Sequence, residues 1–146
     1  MASVTRVDLQ PIVERHLAAW QSRDIAAILG CHAPDGVIES PMYGTRRGLT
    51  EIGESYRSFF KSFPDVTFSD EVTLIDPPSV AIFSEVVATH IDEFFGLPGT
   101  NRRLDMRIAR LLRFDDSGRI AYERRIYDFT GVLLQVGVLR AKPAKP

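Results

Sequence analysis

Apolar residues near the start of the chain recur with the spacing of a helix that buries one face. They are Leu9, Ile12, Val13, Leu17 and Trp20. The pattern predicts a helix from Asp8 to about Gln21, with Asp8 as its N-cap and Pro11 in its first turn. A second, shorter helix is predicted from Asp24 to Leu29, because Gly30 is a typical C-terminal stop.

The next apolar pattern is rich in aromatic residues. It predicts a helix from Thr50, its N-cap, to about Phe63, with a stripe formed by Ile52, Tyr56, Phe59, Phe60 and Phe63. So wide an aromatic face needs a large apolar partner. Before this helix, residues 35–44 have turn residues at both ends and a β-branched centre. We therefore expect a short strand there that reverses at Pro41 to Gly44.

Most of the second half of the chain has the composition of β-strands. Four strands are predicted, at residues 66–75, 80–95, 103–114 and 119–128, joined by short turns into an antiparallel meander. Residues 130–140 form either a short helix or a closing strand. The tail, residues 141–146, is predicted to be disordered, which leaves residues 1–140 as a single domain.

Helices followed by a long twisted sheet indicate an α+β fold with the helices on one face of the sheet. Such a sheet curls around its helices, and the open end of the resulting cone is expected to hold a ligand-sized, apolar cavity. The composition agrees with a globular domain, since 45% of the 146 residues are hydrophobic and 25% are charged.

Charge and cysteine content narrow the class of protein further. The formal net charge of −1 predicts no general attraction to nucleic acid or to an anionic membrane. Cys31 is the only cysteine, so it cannot form an internal disulfide. No apolar run reaches membrane-spanning length, and the first ten residues lack the apolar core of a secretory signal. We expect a cytoplasmic location.

The last predicted hairpin concentrates charged residues. A four-residue turn at residues 115–118 would place Asp105 opposite Asp128. Their face would also carry Arg107, Ala109, Leu111, Ile120, Tyr122, Arg124 and Ile126, and the opposite face, core or dimer surface, would carry Leu104, Met106, Ile108, Leu112 and Phe114. A carboxylate in an apolar cavity has a raised pKa that suits a general base, and Asp128 is the candidate. Alternatively, Arg107 and Arg124 hold the carboxylates ionised in a solvated ladder of charges on the outer face.

Other residues are candidates for contact with a ligand. Tyr43 and Tyr122 could orient a carbonyl or enolate oxygen, and Tyr56 and Phe60 would touch a ligand where the aromatic stripe reaches the cavity mouth. His90 is either a hydrogen-bonded core or pocket residue, or a catalytic one. No histidine or cysteine has a partner at metal-ligand spacing, so no metal site is predicted.

Four stretches together resemble one family over about residues 8–139. They are AAWQSRDIAAILGCHAPDGVIESPMYG, FPDVTF, ATHIDEFFGLPGTNRRLDMRIARLLRF and GRIAYERRIYDFTGVLLQVG. This succession is similar to the SnoaL-like polyketide cyclases of the nuclear transport factor 2-like superfamily, which also contains ketosteroid isomerase. The resemblance implies a cone-shaped α+β fold, with a curved antiparallel sheet wrapped around three N-terminal helices. It also implies a homodimer through the sheet, a ligand pocket at the mouth of the cone, and neither a metal nor an organic cofactor.

The resemblance further implies roles for individual residues. In these cyclases an aspartate near the end of the last long strand removes a proton before an aldol ring closure, and Asp128 in RRIYDF matches it. The family's THxGEF stretch corresponds to residues 89–94, which places His90 near the pocket. Arg124 stands where many relatives have tryptophan, which leaves room for an anionic ligand. Ser40 occupies the place of the ketosteroid isomerase base, which disfavours steroid isomerisation.

The leading hypothesis from the sequence is a cyclase, isomerase or lyase without a cofactor. Asp128 would remove a proton alpha to a carbonyl, and Tyr43, Tyr122 or His90 would stabilise the enolate. The alternative is a non-catalytic protein that binds a small hydrophobic or weakly acidic carbonyl compound in the same pocket. A similarity of Asp105, Arg107 and Asp128 to the network of limonene epoxide hydrolases is a weaker hypothesis, and a dimerisation domain whose aromatic residues fill the cone is another. The ligand-binding candidates are Tyr43, Tyr56, Phe60, Asp105, Arg107, Tyr122 and Arg124.

Overall fold

The computed structural model describes residues 5–145 and has the predicted α+β architecture. Within that range the chain forms four helices and one six-stranded sheet. In chain order they are α1 (Arg6–Gln21), α2 (Ile25–Gly30), β1 (His32–Ser40), β2 (Gly44–Arg47), α3 (Gly48–Ser62), β3 (Thr67–Asp76), β4 (Ser79–Thr89), β5 (Arg103–Phe114), β6 (Ile120–Ile126) and α4 (Phe129–Val136). The segment of undecided type is therefore a helix. The predictions for residues 1–4 and 146 lie outside the described residues.

Two of the three predicted helix starts are wrong. The N-cap of α1 is Thr5, whose hydroxyl accepts from the backbone N–H of Asp8 while the Asp8 carboxylate accepts from that of Thr5. Asp8 is thus the second half of a capping box. Helix α3 starts before Thr50 and has no side-chain cap at Arg47. The predicted start of α2 at Asp24 is confirmed, and Asp24 is its N-cap, since the Asp24 carboxylate accepts from the backbone N–H of Ala27 at 3.0 Å.

The sheet extends the predicted meander by two strands. Its order is β2-β1-β6-β5-β4-β3, and β3 to β6 form the antiparallel meander. The predicted reversal at Pro41 to Gly44 is confirmed, since β1 ends at Ser40 and β2 starts at Gly44 antiparallel to it, and β1 also pairs in parallel with β6. Strand β4 ends at Thr89, six residues earlier than predicted, because the backbone N–H of Ile91 turns away to donate to the carbonyl of Ser62 at the end of α3.

The predicted register of the last hairpin is also wrong. Phe114 pairs with Ile120 and a bulge follows, so that Leu111 pairs with Arg124. Strand β6 ends at Ile126, and therefore Asp105 does not lie opposite Asp128. The composition of each face is nevertheless as predicted, except that the bulge turns Ile120 inward, where it is fully buried.

The apolar interior consists of two clusters with a polar layer between them. The first contains Leu9 and Val13 of α1 with Leu112 of β5, and the second contains Trp20 of α1 with Ile108 of β5. The polar layer comprises the buried side chains of His16, His32, Ser84, Arg110 and Glu123. Along the chain, each of these residues lies between a residue of the first cluster and a residue of the second. Arg110, for example, lies between Leu112 and Ile108 on β5. The polar layer therefore divides the interior into an end that contains Leu112 and an end that contains Ile108.

Candidate functional site

A small cavity lies on the Ile108 side of the polar layer, between α3 and the inner face of the sheet. Its volume is about 40 Å³, which is room for one or two water molecules. We call it the inner cavity; it is lined by Trp20, Met42, Tyr43, Ser55, Tyr56, Phe59, Phe60, Phe68, Val86, Met106, Ile108, Arg125 and Tyr127. The structure thus brings together three of the predicted ligand-binding residues, Tyr43, Tyr56 and Phe60.

Aromatic rings form most of the inner wall. Helix α3 presents Tyr56, Phe59 and Phe60 on one face, because residues three and four positions apart are neighbours on a helix. The Trp20 ring meets Tyr56 edge to face at 5.8 Å and Phe68 at 4.7 Å between centroids. Such walls favour a flat apolar ligand, since offset and edge-to-face ring contacts are attractive.

A second, wider cavity adjoins the first. It has a volume of about 270 Å³ and shares Met42 and Tyr43 with the inner cavity. We call it the outer cavity; its other lining residues are Arg46, Ser58, Ser62, Glu93, Phe94 and Phe95. Glu93 is the one carboxylate among these lining residues, and its Oε1 accepts from the backbone N–H of Gly96. The outer cavity is thus more polar than the inner one and leads to solvent.

An ion cluster of Arg110, Glu123 and Arg125 lies behind the inner cavity. Nε of Arg125 donates to Oε2 of Glu123, and Nη1 of Arg110 lies 3.8 Å from Oε1 of Glu123. Nη1 of Arg110 is also 2.9 Å from Nε2 of His16. The guanidinium carbon of Arg110 lies 3.6 Å from the centroid of the Trp20 ring, a close cation–π contact. The cluster therefore binds α1 to the two central strands.

Burial and charge act in opposite directions on the ionisation of this cluster. Desolvation works to raise the pKa of Glu123, but Arg125 and Arg110 outweigh it and lower that pKa to about 2. Desolvation likewise works to lower the pKa of Arg125, and Glu123 reverses this into a raised value. For Arg110 desolvation prevails and lowers the pKa. Glu123 therefore compensates Arg125 better than it compensates Arg110.

The two buried histidines beside the cluster are neutral at pH 7. Burial lowers the pKa of His32 to about 4, and burial together with the charge of Arg110 lowers that of His16 well below its usual 6.5. Neither ring nitrogen of His32 has a hydrogen-bond partner among the described residues. A protonated imidazole would add positive charge where two guanidiniums already lie.

Tyr56 connects the ion cluster to the inner cavity. Its hydroxyl oxygen accepts a hydrogen bond from Nη2 of Arg125 at 2.6 Å. Burial raises the pKa of Tyr56 to about 12, so the side chain is a neutral phenol at physiological pH. A phenol that accepts from a guanidinium also keeps its own proton to donate. Tyr56 and Arg125 together are the most strongly polarised groups of the inner wall.

The structure places Asp128 on the surface and not in either cavity. It follows Tyr127, which lines the inner cavity, and it is the N-cap of α4. Its Oδ1 accepts from the backbone N–H of Gly131 at 2.8 Å. The predicted base is therefore exposed, at the start of a helix whose Val132 and Val136 are fully buried.

The other charged candidates of the last hairpin lie on the outer face of the sheet. Asp105, Arg107 and Arg124 are exposed, and Arg107 lies 3.6 Å from Glu71 in a surface ion pair. The hydroxyl of Tyr122 donates to Glu39 at 2.7 Å on the same face. The structure does not bring these residues to the cavities, because the helices cover the opposite, apolar face. These residues are part of the exposed outer face of the sheet instead.

His90 is buried behind the outer cavity. Its Nδ1 lies 2.9 Å from Oγ1 of Thr100, and its ring packs against Phe63 and Phe94 at 5.7 and 6.1 Å between centroids. Phe94 lies in the lining of the outer cavity and His90 does not. His90 therefore contributes to the position of the cavity wall.

The sequence interpretation missed the ion cluster and the inward-facing Arg125. A usable signal was present, because Arg110 has the same strand parity as Ile108 and Leu112 and so interrupts an otherwise apolar face. A charged residue there has to be paired. The predicted register would also have placed Glu123 opposite Arg110 on that face, so the partner could have been named, whereas the structure pairs Arg110 with Arg125.

The described residues offer neither a metal site nor a membrane-spanning helix. Among residues 5–145, no group of three or more His, Cys, Asp and Glu side chains is placed to hold a metal ion. None of the described helices is long and apolar enough to span a bilayer.

Comparisons with known proteins give a family and a fold. The family model described as SnoaL-like polyketide cyclase matches residues 10–136. AclR from Streptomyces galilaeus, a proposed hydroxylase, is 23% identical with a TM-score of 0.80, covering 93% of this chain and 100% of its own. IdmH from Streptomyces antibioticus, a proposed polyketide cyclase, is 27% identical with a TM-score of 0.73, covering 87% and 96%.

A third similar structure is that of a protein from Catenulispora acidiphila with a ketosteroid isomerase-like fold, in complex with trimethylamine. It is 22% identical with a TM-score of 0.71, and the match covers 88% of this chain and 93% of its own. Comparison with curated proteins gives no significant match. The predicted fold and family are confirmed.

Substitutions at Asp128 test its role as the N-cap of α4. We expect Asp128→Ala to lower the free energy of unfolding by about 1 kcal/mol, because the cap of a helix that packs into the core is lost. Asp128→Asn should leave it nearly unchanged, since asparagine caps as well as aspartate. Urea unfolding measures both, with Asp105→Ala as the control at an exposed aspartate. A cost for Asp105→Ala equal to that of Asp128→Ala would contradict the capping account.

The lowered pKa values of the two buried histidines predict that the folded protein loses stability in acid. The unfolded chain binds a proton at His32 below about pH 6.5 and the folded chain only below about pH 4, so stability falls as the pH falls through that window. The loss reaches up to about 3 kcal/mol, at about 1.4 kcal/mol per pKa unit. Glu123 adds a second loss between about pH 5 and 2, because its ordinary pKa of 4.5 is lowered to about 2.

Urea unfolding at several pH values between 7 and 4 tests this loss. His32→Leu, which removes the titrating group from an apolar setting, should flatten the dependence of the unfolding free energy on pH. An equally steep dependence in His32→Leu and in the wild type would contradict the assignment to His32.

Proposed function

Because this chain belongs to the SnoaL-like polyketide cyclase family, we propose that it binds a flat, largely apolar carbonyl compound and catalyses its enolisation and ring closure. The observation that carries the proposal is the hydrogen bond from Arg125 to Tyr56 at the wall of an aromatic cavity. Enolisation places negative charge on a carbonyl oxygen, and donors fixed in advance at that oxygen lower the barrier.

Tyr56 is the proposed donor to the developing enolate. As a neutral phenol held by Arg125, it can donate without being reoriented during the reaction. Tyr43 and Tyr127 also line the inner cavity, beside Tyr56. The hydroxyl of Tyr127 accepts from the backbone N–H of Met42 at 3.2 Å, which fixes this part of the wall. The donor thus differs from those proposed from the sequence, of which only Tyr43 lines the cavity.

The base acts at the mouth of the cone in this proposal. Asp128 matches the family aspartate in sequence, but it is exposed, so only the part of a ligand that extends beyond the inner cavity could reach it. Glu93 in the outer cavity is a second candidate. Either carboxylate would accept a proton from the carbon next to the carbonyl while Tyr56 holds the oxygen.

A non-catalytic binding protein is the second candidate function. It is favoured by one observation, that the residues lining the inner cavity among residues 5–145 include no carboxylate. Binding in the same cavity would then need only the aromatic walls and the Arg125 and Tyr56 donors. The two functions differ in whether a bound ketone exchanges its alpha protons with solvent.

The proposal includes a homodimer formed through the outer face of the sheet. One row of paired positions, Val72, Phe83, Ala109 and Ile126, crosses four strands. Phe83 is 41% exposed and Ile126 is 60% exposed, and Leu111 in the next row is 44% exposed. Contiguous apolar surface of this kind is typical of an interface with another chain. The occupant proposed here is a second copy of the same chain.

The exchange of alpha protons for deuterium in α-tetralone tests the catalytic proposal. This flat ketone exchanges slowly by itself, and nuclear magnetic resonance follows the loss of the signal. We expect the protein to accelerate exchange and Tyr56→Phe to reduce the acceleration by about 100-fold, as for loss of an oxyanion donor. Tyr122→Phe, at a tyrosine on the outer face, is the matched control and should not reduce it.

Three results decide between the candidate functions. Equal exchange with and without the protein, together with binding of the ketone, would leave the binding protein as the function. A loss in Tyr122→Phe as large as that in Tyr56→Phe would contradict the role of the inner cavity. Asp128→Asn and Glu93→Gln then identify the base, because the variant at the true base should lose the acceleration.

Static light scattering tests the dimer. The wild type should have about twice the mass of the 16.4 kDa chain, and Leu111→Arg should have the mass of one chain, because a charge in an apolar interface is unpaired. Leu134→Arg, at a leucine of α4 that is 45% exposed, is the control and should remain dimeric. A monomeric wild type would refute the interface.

A further inference from the structure

The ion cluster beside the inner cavity holds more positive than negative charge. Glu123 supplies one carboxylate, and Arg110 and Arg125 supply two guanidiniums, with side chains at most 10% exposed. His16 and His32 add no charge at pH 7, because burial lowers both pKa values. One positive charge is therefore left over in the interior.

One further carboxylate, Asp70, acts on the charge of Arg110, but among the described residues it forms no ion pair with it. The two oxygens of Asp70 accept from Ser84 and Gln21 instead. The buried Nε and Nη2 atoms of Arg110, like Oε1 of Glu123, have no hydrogen-bond partner among the described residues. Buried charges are normally paired, so an interior with surplus cationic donors is one that favours a further anion.

The ion cluster, which carries this net charge, reaches the inner cavity through Arg125. Arg125 is the one charged residue among those that line it, and the remaining lining residues are aromatic, aliphatic or hydroxyl-bearing. Arg125 is fixed there by its bonds to Glu123 and Tyr56. A cation beside apolar walls is poorly screened, so its attraction for an anion is stronger than in water.

We infer that the ligand of this cavity is bound as an anion, through an acidic oxygen held by Arg125 and Tyr56. The class is a flat apolar molecule that bears a carboxylate, a phenolate or the enolate of an acidic carbonyl compound. This inference rests on the proposed function, since it names the substrate class of the same cavity. Neutral ketones and amides of the same shape bind more weakly.

Space in the two cavities agrees with a ligand of this shape. The inner cavity, at about 40 Å³, is too small for a ring in its present form, whereas the adjoining outer cavity has about 270 Å³. Met42 and Tyr43 line both cavities, and Tyr43 is half-buried, so rotation of its ring can join the two spaces. Side-chain rotation of this extent is common on binding. The acidic oxygen would then lie innermost and the ring between the aromatic walls.

A matched pair of probes tests the charge of the ligand. The probes are 2-naphthoate and its neutral amide, which have the same ring and nearly the same shape. Trp20 is the only tryptophan of the chain and lines the inner cavity, so its single indole N–H signal reports binding there. Titration of that signal at pH 7 gives both dissociation constants. We expect 2-naphthoate to bind at least about tenfold more tightly, as charge-assisted hydrogen bonds are about twice as strong as neutral ones.

Variants locate the preference at Arg125. Arg125→Gln should reduce the ratio of the two dissociation constants to about one, and Arg125→Lys should retain part of it because the charge remains. Arg113→Gln, at an exposed arginine on the outer face of β5, removes the same charge elsewhere and should keep the wild-type ratio. If Arg125→Gln does not fold, the wild-type ratio and Arg125→Lys still decide.

The outcomes distinguish this inference from the proposed function. Equal binding of the two probes by the wild type would overturn the anion subsite and leave binding in the cavity standing. Tighter binding of the amide would overturn it as well. No change in the Trp20 signal with either probe would overturn both the subsite and the proposed function. A wild-type preference that persists in Arg125→Gln would refute the assignment to Arg125.

Discussion

The interior of this protein depends on one buried carboxylate. Removing Glu123 from water costs several kcal/mol, and the charge is tolerated because two guanidiniums approach it. One of them, Arg125, lies two residues along the same strand, and the other, Arg110, is the direct partner of Arg125 on β5. A slip of one residue in this pairing would turn Glu123 outward and Arg124 inward. The ion cluster therefore selects the strand register as well as the charge of the interior.

The same cluster explains why the inner cavity lies on one side of the polar layer. On the other side, Leu9, Leu112 and Ile120 are fully buried in an apolar cluster. On the cavity side, Arg125 and Tyr56 must keep their polar atoms bonded to each other, so purely apolar packing cannot continue through that level. The aromatic residues of α3 close over these groups and leave the inner cavity. The floor of the candidate site is thus a consequence of the charge buried beneath it.

Periodicity was sufficient to predict the fold but not the site. The bounds of β5 and the aromatic face of α3 follow from spacing alone, because each residue type reports its own burial. The charged side chains of the last hairpin, such as Arg107 and Arg124, were given a ligand role, although alternation equally predicts that a charged face is the solvated one. The decisive pairs join residues far apart in sequence, His16 with Arg110 and Tyr56 with Arg125. No local pattern encodes such pairs, because each joins a helix to a strand that is distant in sequence.

The positive charge at Arg125 affects how strong a base is needed to remove a proton from the ligand. A carboxylate that removes a proton from carbon has to be matched to the acidity of that carbon in the bound state. If Arg125 and Tyr56 stabilise the enolate at its oxygen, the carbon acid has a lower pKa when bound than when free. The reason is that these two donors stabilise the anion more than they stabilise the neutral ketone. An exposed carboxylate at the mouth, such as Asp128 or Glu93, can then serve as the base. A buried base, which the sequence suggested, would instead add a negative charge beside the cavity and cancel the excess that Arg110 and Arg125 provide.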